Sequence, residues 1–394
     1  MTIVDGQCKN TSQIDITDIT STKTLGGLGN LTSNLNDSTN DSNVLNKYTQ
    51  YIISKVIQLT SSNSSNLTDN DLSSVGGILQ NLLNFSGSNN NSWNSSFTSQ
   101  AILIIMNVSS SFTNLALSTG SLNVLTTNSF MSSLSQLVNL NSNTNDTLTQ
   151  KTNEQNILKA AETIIDSNIY FLNNSNTSIS YSSNLCNFQI AAILSDNTMD
   201  QTLSVTSISQ NTDGPSVVIS QSFLSSISNG TTYVKLVEWA NNPYTYSDSS
   251  NTSNLSSVVS IDFYAASQAG FFGLNVNNLS QNKSFGLPKV RGNSINSSYY
   301  YSCVYWNENS FGWDNTGMST TQPQNSDGTV VCSSNHFSDF AYTLVLNTIN
   351  QNQSNTSGNV NNTSGNVNNT TGNFNMIIRI YWVFSFISII LMCF

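Results

Sequence analysis

The spacing of apolar residues changes about halfway along the chain. Before residue 185 they recur every three or four positions, the repeat of an amphipathic helix with one buried face. The clearest sets are Tyr48, Ile52, Val56 and Leu59, and then Leu72, Val75, Leu79 and Leu82. Further helices are predicted at residues 100–117, 130–140 and 156–166. This pattern predicts a helical subdomain over residues 43–185.

The second of these helices carries a capping signal at its start. Thr68 precedes the apolar set, and Asp71 follows three positions later. A hydroxyl and a carboxylate with this spacing can each accept a hydrogen bond from a backbone N–H group in the first turn, where helices leave such groups unpaired. The helix is therefore predicted to begin next to Thr68.

Beyond residue 185 the repeat shortens toward two, and the segments become short and rich in β-branched or aromatic residues. Val259, Ile261 and Phe263 alternate with polar residues, as in a sheet with one buried face. Strands are predicted at residues 188–194, 203–208, 216–220, 232–239, 258–265, 299–306, 329–332 and 340–346. Short strands separated by Asn, Gly and Ser predict an antiparallel β-sandwich over residues 186–346, and hence an α+β fold.

The two ends of the chain differ from this pattern. Residues 1–42 are polar and lack a sustained repeat, which predicts a flexible lead-in. Residues 347–375 contain three copies of a polar heptad, each beginning with an Asn-x-Ser/Thr glycosylation signal, at Asn355, Asn362 and Asn369. Because this segment is too polar to form a core, it is predicted to be a glycosylated stalk, or a plain linker without sugar.

Residues 376–394 are almost wholly apolar and are predicted to anchor the chain in a membrane. Two forms of anchor fit: a spanning helix, favoured by Arg379 near its start, or a GPI signal that is removed. Residues 1–13 show no basic start followed by an apolar stretch, so no secretory leader is visible. We therefore expect that the natural start lies upstream or is assigned differently.

Charge narrows the possible partners. The chain has 11 Lys and Arg residues against 21 Asp and Glu residues, for a net charge of −10, which argues against nucleic acid as a ligand. No zinc-type cysteine spacing, carboxylate pair or phosphate-binding loop stands out, so no metal, no cofactor and no enzymatic action on other molecules are expected. The expected partners are the membrane and an unidentified extracellular ligand.

Five cysteines are present, at Cys8, Cys186, Cys303, Cys332 and Cys393. Cys303 and Cys332 flank a loop rich in tryptophan and can close it by a disulfide in an oxidising compartment. A further bond between Cys8 and Cys186 is possible, but no sequence feature supports it.

His336 is the only histidine of the chain, and Ser338 follows two positions later. In an extended segment these two side chains project to the same side and flank the carbonyl of Phe337. An imidazole can accept the serine proton while the hydroxyl oxygen attacks that carbonyl, which converts the peptide into an ester that water cleaves. The alternative to this catalytic role is that His336 is a solvated, inert residue at the edge of a strand.

The residues around this pair resemble the GPS motif, the cleavage site at the end of GAIN domains in adhesion receptors and polycystin-like proteins. The matching positions are Cys303, Trp306, Trp313, Gly317, Cys332, His336, Ser338 and Phe340. Met318 and Ser334 replace two cysteines that pair with each other in the family, and Phe337 replaces a leucine. Because the two absent cysteines are partners, one whole bridge is missing.

The resemblance, which covers residues 303–346, implies a GAIN-like fold in which helices precede a β-sandwich. It implies a disulfide between Cys303 and Cys332, packing support from the two tryptophans, and a cut between Phe337 and Ser338, after which the last strand stays bound. The expected function is a membrane-tethered receptor or adhesion ectodomain that cleaves itself once, in cis. The alternative is a non-cleaving, GPI-anchored or stalked surface coat protein.

Overall fold

The structure of the chain is a computed structural model. It describes residues 2–4, 7–9, 16–35, 42–62, 67–88, 95–119, 124–141, 146–173, 178–183, 185–194, 199–208, 214–228, 230–240, 242–244, 255–267, 270–288, 299–323 and 329–346. The predicted stalk, with Asn355, Asn362 and Asn369, and the predicted membrane anchor at residues 376–394 lie outside these residues.

Helices form the first half of the described chain. They are α1 (Ile16–Ser21), α2 (Leu25–Leu35), α3 (Ser42–Ser62), α4 (Asp69–Ser88), α5 (Ser95–Thr119), α6 (Val124–Asn141) and α7 (Thr147–Ser167), followed by a 3₁₀ turn at Asn168–Asn173. Each predicted helix overlaps one of α3 to α7. The apolar faces meet in one core, in which Phe112 of α5 packs edge-to-face against Phe130 of α6 at a ring separation of 5.1 Å.

The prediction of a flexible lead-in is wrong for residues 16–35. A short hairpin of β1 (Thr2–Val4) and β2 (Gln7–Lys9) is followed by α1 and α2, and Leu25, Leu28 and Leu31 of α2 are buried in the helical core. Three glycines within this helix, which is a poor setting for glycine, obscure the apolar repeat in the sequence. Packing against α4 supplies the stability that local propensity lacks.

The capping signal at Thr68 is confirmed. The backbone N–H of Asp71 donates to Oγ1 of Thr68 at 3.2 Å, and the backbone N–H of Thr68 donates to Oδ2 of Asp71 at 3.0 Å. These reciprocal bonds satisfy two donors that would otherwise lack a partner at the start of α4.

We expect Thr68→Ala to lower the free energy of unfolding by about 1 kcal/mol, because one cap donor loses its acceptor. The matched control is Thr152→Ala, which removes an exposed hydroxyl that donates to the Leu148 carbonyl one turn earlier in α7. The control should change stability by less than about 0.5 kcal/mol. Urea titration of both variants measures the difference, and equal losses would contradict the capping role.

Strands and one short helix form the second half. They are β3 (Ser178–Ser182), β4 (Cys186–Ile193), β5 (Gln201–Ser204), β6 (Ser216–Ile219), α8 (Gln221–Ile227), β7 (Thr232–Trp239), β8 (Val258–Ser267), β9 (Gly270–Gly273), β10 (Lys283–Leu287), β11 (Tyr299–Asn307), β12 (Gly312–Asp314), β13 (Ser319–Thr321), β14 (Val330–Ser334) and β15 (Asp339–Leu346). The α+β class, with helices first and antiparallel sheets second, is confirmed.

Two antiparallel sheets share this half of the described fold. The larger runs β12-β11-β15-β8-β7-β4-β3, with β9 added to β8, and the smaller runs β13-β14-β10-β6-β5. In β7 the side chains alternate: Val234 and Leu236 enter the core between the sheets, whereas Tyr233 and Val237 enter the helical core on the other face. The helices, the larger sheet and the smaller sheet therefore form three layers.

The last strand of the described chain, β15, lies inside the larger sheet. It pairs with β11 along seven residues and with β8 through Asp339 and Phe340. Phe340 and Tyr342 are buried between the sheets, and Leu344 packs partly buried against the same core, as their alternation in the sequence indicates.

Among the described residues, α5 is long and apolar enough to cross a membrane by length and composition. Half of its most apolar stretch is buried within the fold, where Ile104, Ile105 and Val108 belong to the helical core.

Candidate functional site

His336, Phe337 and Ser338 occupy the bend between β14 and β15. Backbone hydrogen bonds hold this bend on both sides. The N–H of Leu279 donates to the carbonyl of Asn335 at 2.8 Å, and the N–H of Phe337 donates to the carbonyl of Val276 at 3.1 Å. The N–H of Ile261 donates a hydrogen bond to the carbonyl of Ser338 at 3.2 Å. The bend is therefore a fixed part of the sandwich.

The His336 ring is partly buried, and its hydrogen-bond contacts within the described residues are at Nδ1. Its Nδ1 lies 3.0 Å from Oγ of Ser334 and 3.2 Å from Oδ1 of Asn335, and the ring meets Tyr305 edge-to-face at 4.3 Å. Its Nε2 is buried and has no hydrogen-bond partner among the described residues. Burial lowers the pKa of His336, so the imidazole is neutral at pH 7.

The hydroxyl of Ser338 points to a different partner. Its Oγ donates to the carbonyl of Trp306 at 3.3 Å, across the sheet on β11. The His336 imidazole and the Ser338 hydroxyl thus lie in the same bend, but each of them is hydrogen-bonded to other groups and not to the other. A proton transfer between them requires the Ser338 side chain to rotate away from Trp306.

Phe337, which stands where the resembled family has leucine, is anchored by aromatic rings. Its ring centre lies 4.7 Å from that of Phe263 on β8 and 5.6 Å from that of Phe223 on α8. The ring packs against the core between the sheets. The larger side chain is therefore accommodated by packing, and it fixes the acyl side of the Phe337–Ser338 peptide bond.

The disulfide between Cys303 and Cys332 is present. It joins β11 of the larger sheet to β14 of the smaller sheet, with the two Cα atoms 5.8 Å apart and both residues buried. Cys186 has a free, buried thiol, and burial raises its pKa to about 12. Cys393 lies outside the described residues.

Trp306 and Trp313 pack on each other beside the bend, with ring centres 5.6 Å apart. Tyr244 stacks on Trp306 at 4.1 Å, with the two rings nearly parallel. Gly317 has a φ of 77°, a left-handed conformation that favours glycine, at the turn before β13. Phe340 is fully buried and packs against Phe285 of the smaller sheet at 4.3 Å.

An open groove of about 710 Å³ lies against the bend. Its lining is mainly polar and includes Asn275, Asn278, Glu308, Thr316, His336 and Ser338. Phe337, on the other side of the peptide bond from Ser338, also lines this groove. No group of three or more potential metal ligands occurs in the part of the chain that the structure describes.

Asp339 is a residue of the site that the sequence did not single out. Ser260 and Tyr244 both donate hydrogen bonds to its carboxylate. Burial raises the pKa of the carboxyl to about 6. The only sequence signal is its position directly after Ser338, and a charged residue at the start of a strand ordinarily indicates exposure to solvent.

The chain is thus an α+β protein with a fixed, partly buried His-Phe-Ser bend before the last described strand. No known family model matches it, and no curated protein matches its sequence. Among solved structures, it is similar to the full extracellular region of zebrafish Gpr126/Adgrg6, with 15% identity and a TM-score of 0.44. The similarity covers 69% of this chain and 34% of that one, so the chain spans about a third of that protein's length.

Proposed function

We propose that this chain is the ectodomain of a membrane-tethered cell-surface receptor or adhesion protein, with a GAIN-like fold that cleaves itself once between Phe337 and Ser338. The observation that carries this proposal is the bend itself. A neutral histidine, whose Nε2 has no hydrogen-bond partner in the described part of the chain, and a serine hydroxyl flank one peptide bond. This bond lies directly before a strand that the sheet holds on both edges. The disulfide and the order of helices before strands support the same proposal.

The proposed reaction starts when the Ser338 hydroxyl leaves the Trp306 carbonyl and turns toward the Phe337 carbonyl carbon. His336 accepts the hydroxyl proton as Oγ attacks, and the proton then passes to the Ser338 nitrogen as the C–N bond breaks. The product is an ester between Phe337 and Oγ of Ser338. A water molecule from the groove hydrolyses this ester, which leaves a carboxylate on Phe337 and a free amine on Ser338.

Proximity supplies most of the rate in this scheme. The nucleophile and the carbonyl belong to adjacent residues, so no substrate has to be bound or oriented. The backbone bonds at Asn335, Phe337 and Ser338 hold both sides of the peptide bond in place. The enzyme-like chemistry is limited to one turnover in cis, because the cut consumes the one peptide bond that His336 and Ser338 flank.

Expression of the full chain in a secretory host tests the proposal. We expect denaturing electrophoresis to separate two fragments, of which the smaller begins at Ser338 by terminal sequencing. Ser338→Ala removes the nucleophile and should leave the chain intact, whereas Ser338→Thr retains a hydroxyl and should still cleave. Hydroxylamine, which attacks esters, should accelerate cleavage of any chain trapped at the ester stage.

A wild-type chain that stays uncleaved at neutral pH would contradict the proposal that the chain cleaves itself. The proposal would then reduce to the second candidate, a non-cleaving, GPI-anchored or stalked surface protein, which the bond between Ser338 and the Trp306 carbonyl favours. Release of the protein from the cell surface by a phospholipase distinguishes a GPI anchor from a spanning helix at residues 376–394.

A further inference from the structure

We infer that Asp339 is a positioning residue for the proposed cleavage, and that its ionised carboxylate holds the Ser338 hydroxyl in place through Tyr244 and Trp306. This inference rests on the proposed function and assigns a role to a residue outside the His-Phe-Ser pattern. The hydrogen bonds to the Asp339 carboxylate come from Ser260 and Tyr244. Asp339 acts through the groups that surround Ser338.

The contacts of Asp339 define its charge state. Oγ of Ser260 accepts a hydrogen bond from Nε1 of Trp239 at 2.8 Å, so its single proton is directed to Oδ1 of Asp339. Oδ2 of Asp339 faces the hydroxyl of Tyr244. When Asp339 is ionised, each of its two carboxylate oxygens accepts one hydrogen bond, so the hydroxyls of Ser260 and Tyr244 both have an acceptor. Protonation of Oδ2 would reverse the bond to Tyr244 and leave that hydroxyl proton without its acceptor.

Two connections lead from Asp339 to Ser338. Tyr244 stacks on Trp306, whose carbonyl accepts the hydrogen bond from Ser338. Along the backbone, Asp339 pairs with Ser260 in the register of β15 and β8, and the next residue of β8, Ile261, donates to the Ser338 carbonyl. One carboxylate therefore fixes both the side chain and the backbone of Ser338.

Other charges face Asp339 from the neighbouring elements. Burial is the main cause of its raised pKa; Asp262 of β8 raises it further, and the hydrogen bonds from Ser260 and Tyr244 and the charge of Lys235 on β7 lower it. Lys235 forms ion pairs with Asp166 of α7 at 2.7 Å and with Asp262 at 3.0 Å.

Glu162 of α7 also interacts with Asp339, and burial raises the pKa of Glu162 to about 8.

Ionisation of Asp339 lowers the stability of the folded protein. Its pKa of about 6 lies above the ordinary value of 3.8, so the folded protein binds this proton more tightly than the unfolded chain does. The contribution of this group to stability therefore falls as the pH rises from about 4 to about 6. An asparagine has no charge to desolvate. It offers only one acceptor oxygen, however, so one of the two hydroxyls loses its partner. The gain and the loss oppose each other in stability, whereas only the carboxylate orients both hydroxyls.

The test is the Asp339→Asn variant of the full chain, with Tyr244→Phe as a second variant that keeps the ring stack but removes one donor. We expect Asp339→Asn to slow cleavage about a hundredfold at pH 7, because Ser338 loses its fixed orientation. The melting temperature should stay close to that of the wild type, because the removal of a buried charge offsets the loss of one acceptor oxygen. Tyr244→Phe should slow cleavage by a smaller factor.

The pH profile separates positioning from folding. In the wild type, acidification protonates both His336 and Asp339, so the logarithm of the cleavage rate should fall with a slope clearly above 1 until the hundredfold loss from Asp339 is complete. The slope in Asp339→Asn should be near 1, because only His336 still titrates. Unchanged cleavage in Asp339→Asn, or a loss that follows a lower melting temperature, would overturn the inference.

A second measurement keeps the inference testable if the wild type does not cleave. Hydrogen exchange at the amides of Phe337 and Ser338 reports how firmly the bend is held. Faster exchange at these two amides in Asp339→Asn, with unchanged exchange in β7, supports positioning. Equal exchange in both proteins overturns it. Failure of the proposed function is thereby distinguished from failure of the role of Asp339.

Discussion

A Phe340→Ala variant is expected to lose about 3–5 kcal/mol of unfolding free energy. Phe340 is fully buried between the two sheets and packs against Phe285 of the smaller sheet at 4.3 Å. The truncation removes an aromatic ring from a site enclosed by rigid strands, so the surrounding side chains can close the cavity only in part. The substitution therefore weakens the packing of β15, the strand that follows the proposed cut.

Urea titration of the full chain measures this effect. Phe272→Ala is the matched control, because Phe272 lies on β9 and is 50% exposed, and its truncation should cost less than about 1 kcal/mol. A Phe340→Ala variant that is no less stable than the control would show that β15 does not pack between the sheets. In a cleaved chain, the same substitution should also speed the release of the fragment that begins at Ser338.

Removal of the disulfide by the double substitution Cys303→Ala and Cys332→Ala is expected to cost about 3–4 kcal/mol. The cross-link joins residues 29 positions apart and ties β11 to β14, so it limits the conformations of the unfolded chain and connects the two sheets directly. Since β14 leads into the His336 bend, the double variant should also cleave more slowly than the wild type.

Thermal unfolding under oxidising conditions measures the loss, and treatment of the wild type with a reductant should produce a similar shift. The control is Cys186→Ala, which removes a buried thiol that forms no cross-link and should cost about 1 kcal/mol. If the double variant and the control unfold at the same temperature, the cross-link contributes no stability.

The sequence predicted elements best where local pattern and tertiary role agree. Strand β7 was predicted at its observed bounds, because it is rich in β-branched and aromatic residues and every one of its residues is buried. The capping box at Thr68 was also predicted, since its bonds are local in sequence. Such features need no knowledge of distant contacts.

Elements that depend on distant contacts were missed. Strand β10, Lys-Ser-Phe-Gly-Leu, has a weak pattern of its own and is held by pairing with β14 and β6. Helix α2 has a glycine-rich sequence and is held by its packing on α4. In both cases the stabilising partner is more than 30 residues away in the sequence, which a periodicity argument cannot detect.

The same distinction holds for the site. The motif placed His336, Phe337 and Ser338 beside each other, because covalent adjacency is visible in a sequence. It did not reveal that the Ser338 hydroxyl bonds to the Trp306 carbonyl, nor that Ser260 and Tyr244 surround Asp339. These contacts arise only when β8, β11 and β15 assemble side by side.

The long pairing of β15 with β11 has a mechanical consequence. Seven residues of the two strands pair in antiparallel register, whereas β8 holds only the first two residues of β15 through the ladder. A force applied at Leu346 along the strand axis would load the hydrogen bonds to β11 in shear, so that they share the tension. A force across the strand would instead break them one after another, beginning at the Tyr299–Leu346 end, and would require far less tension.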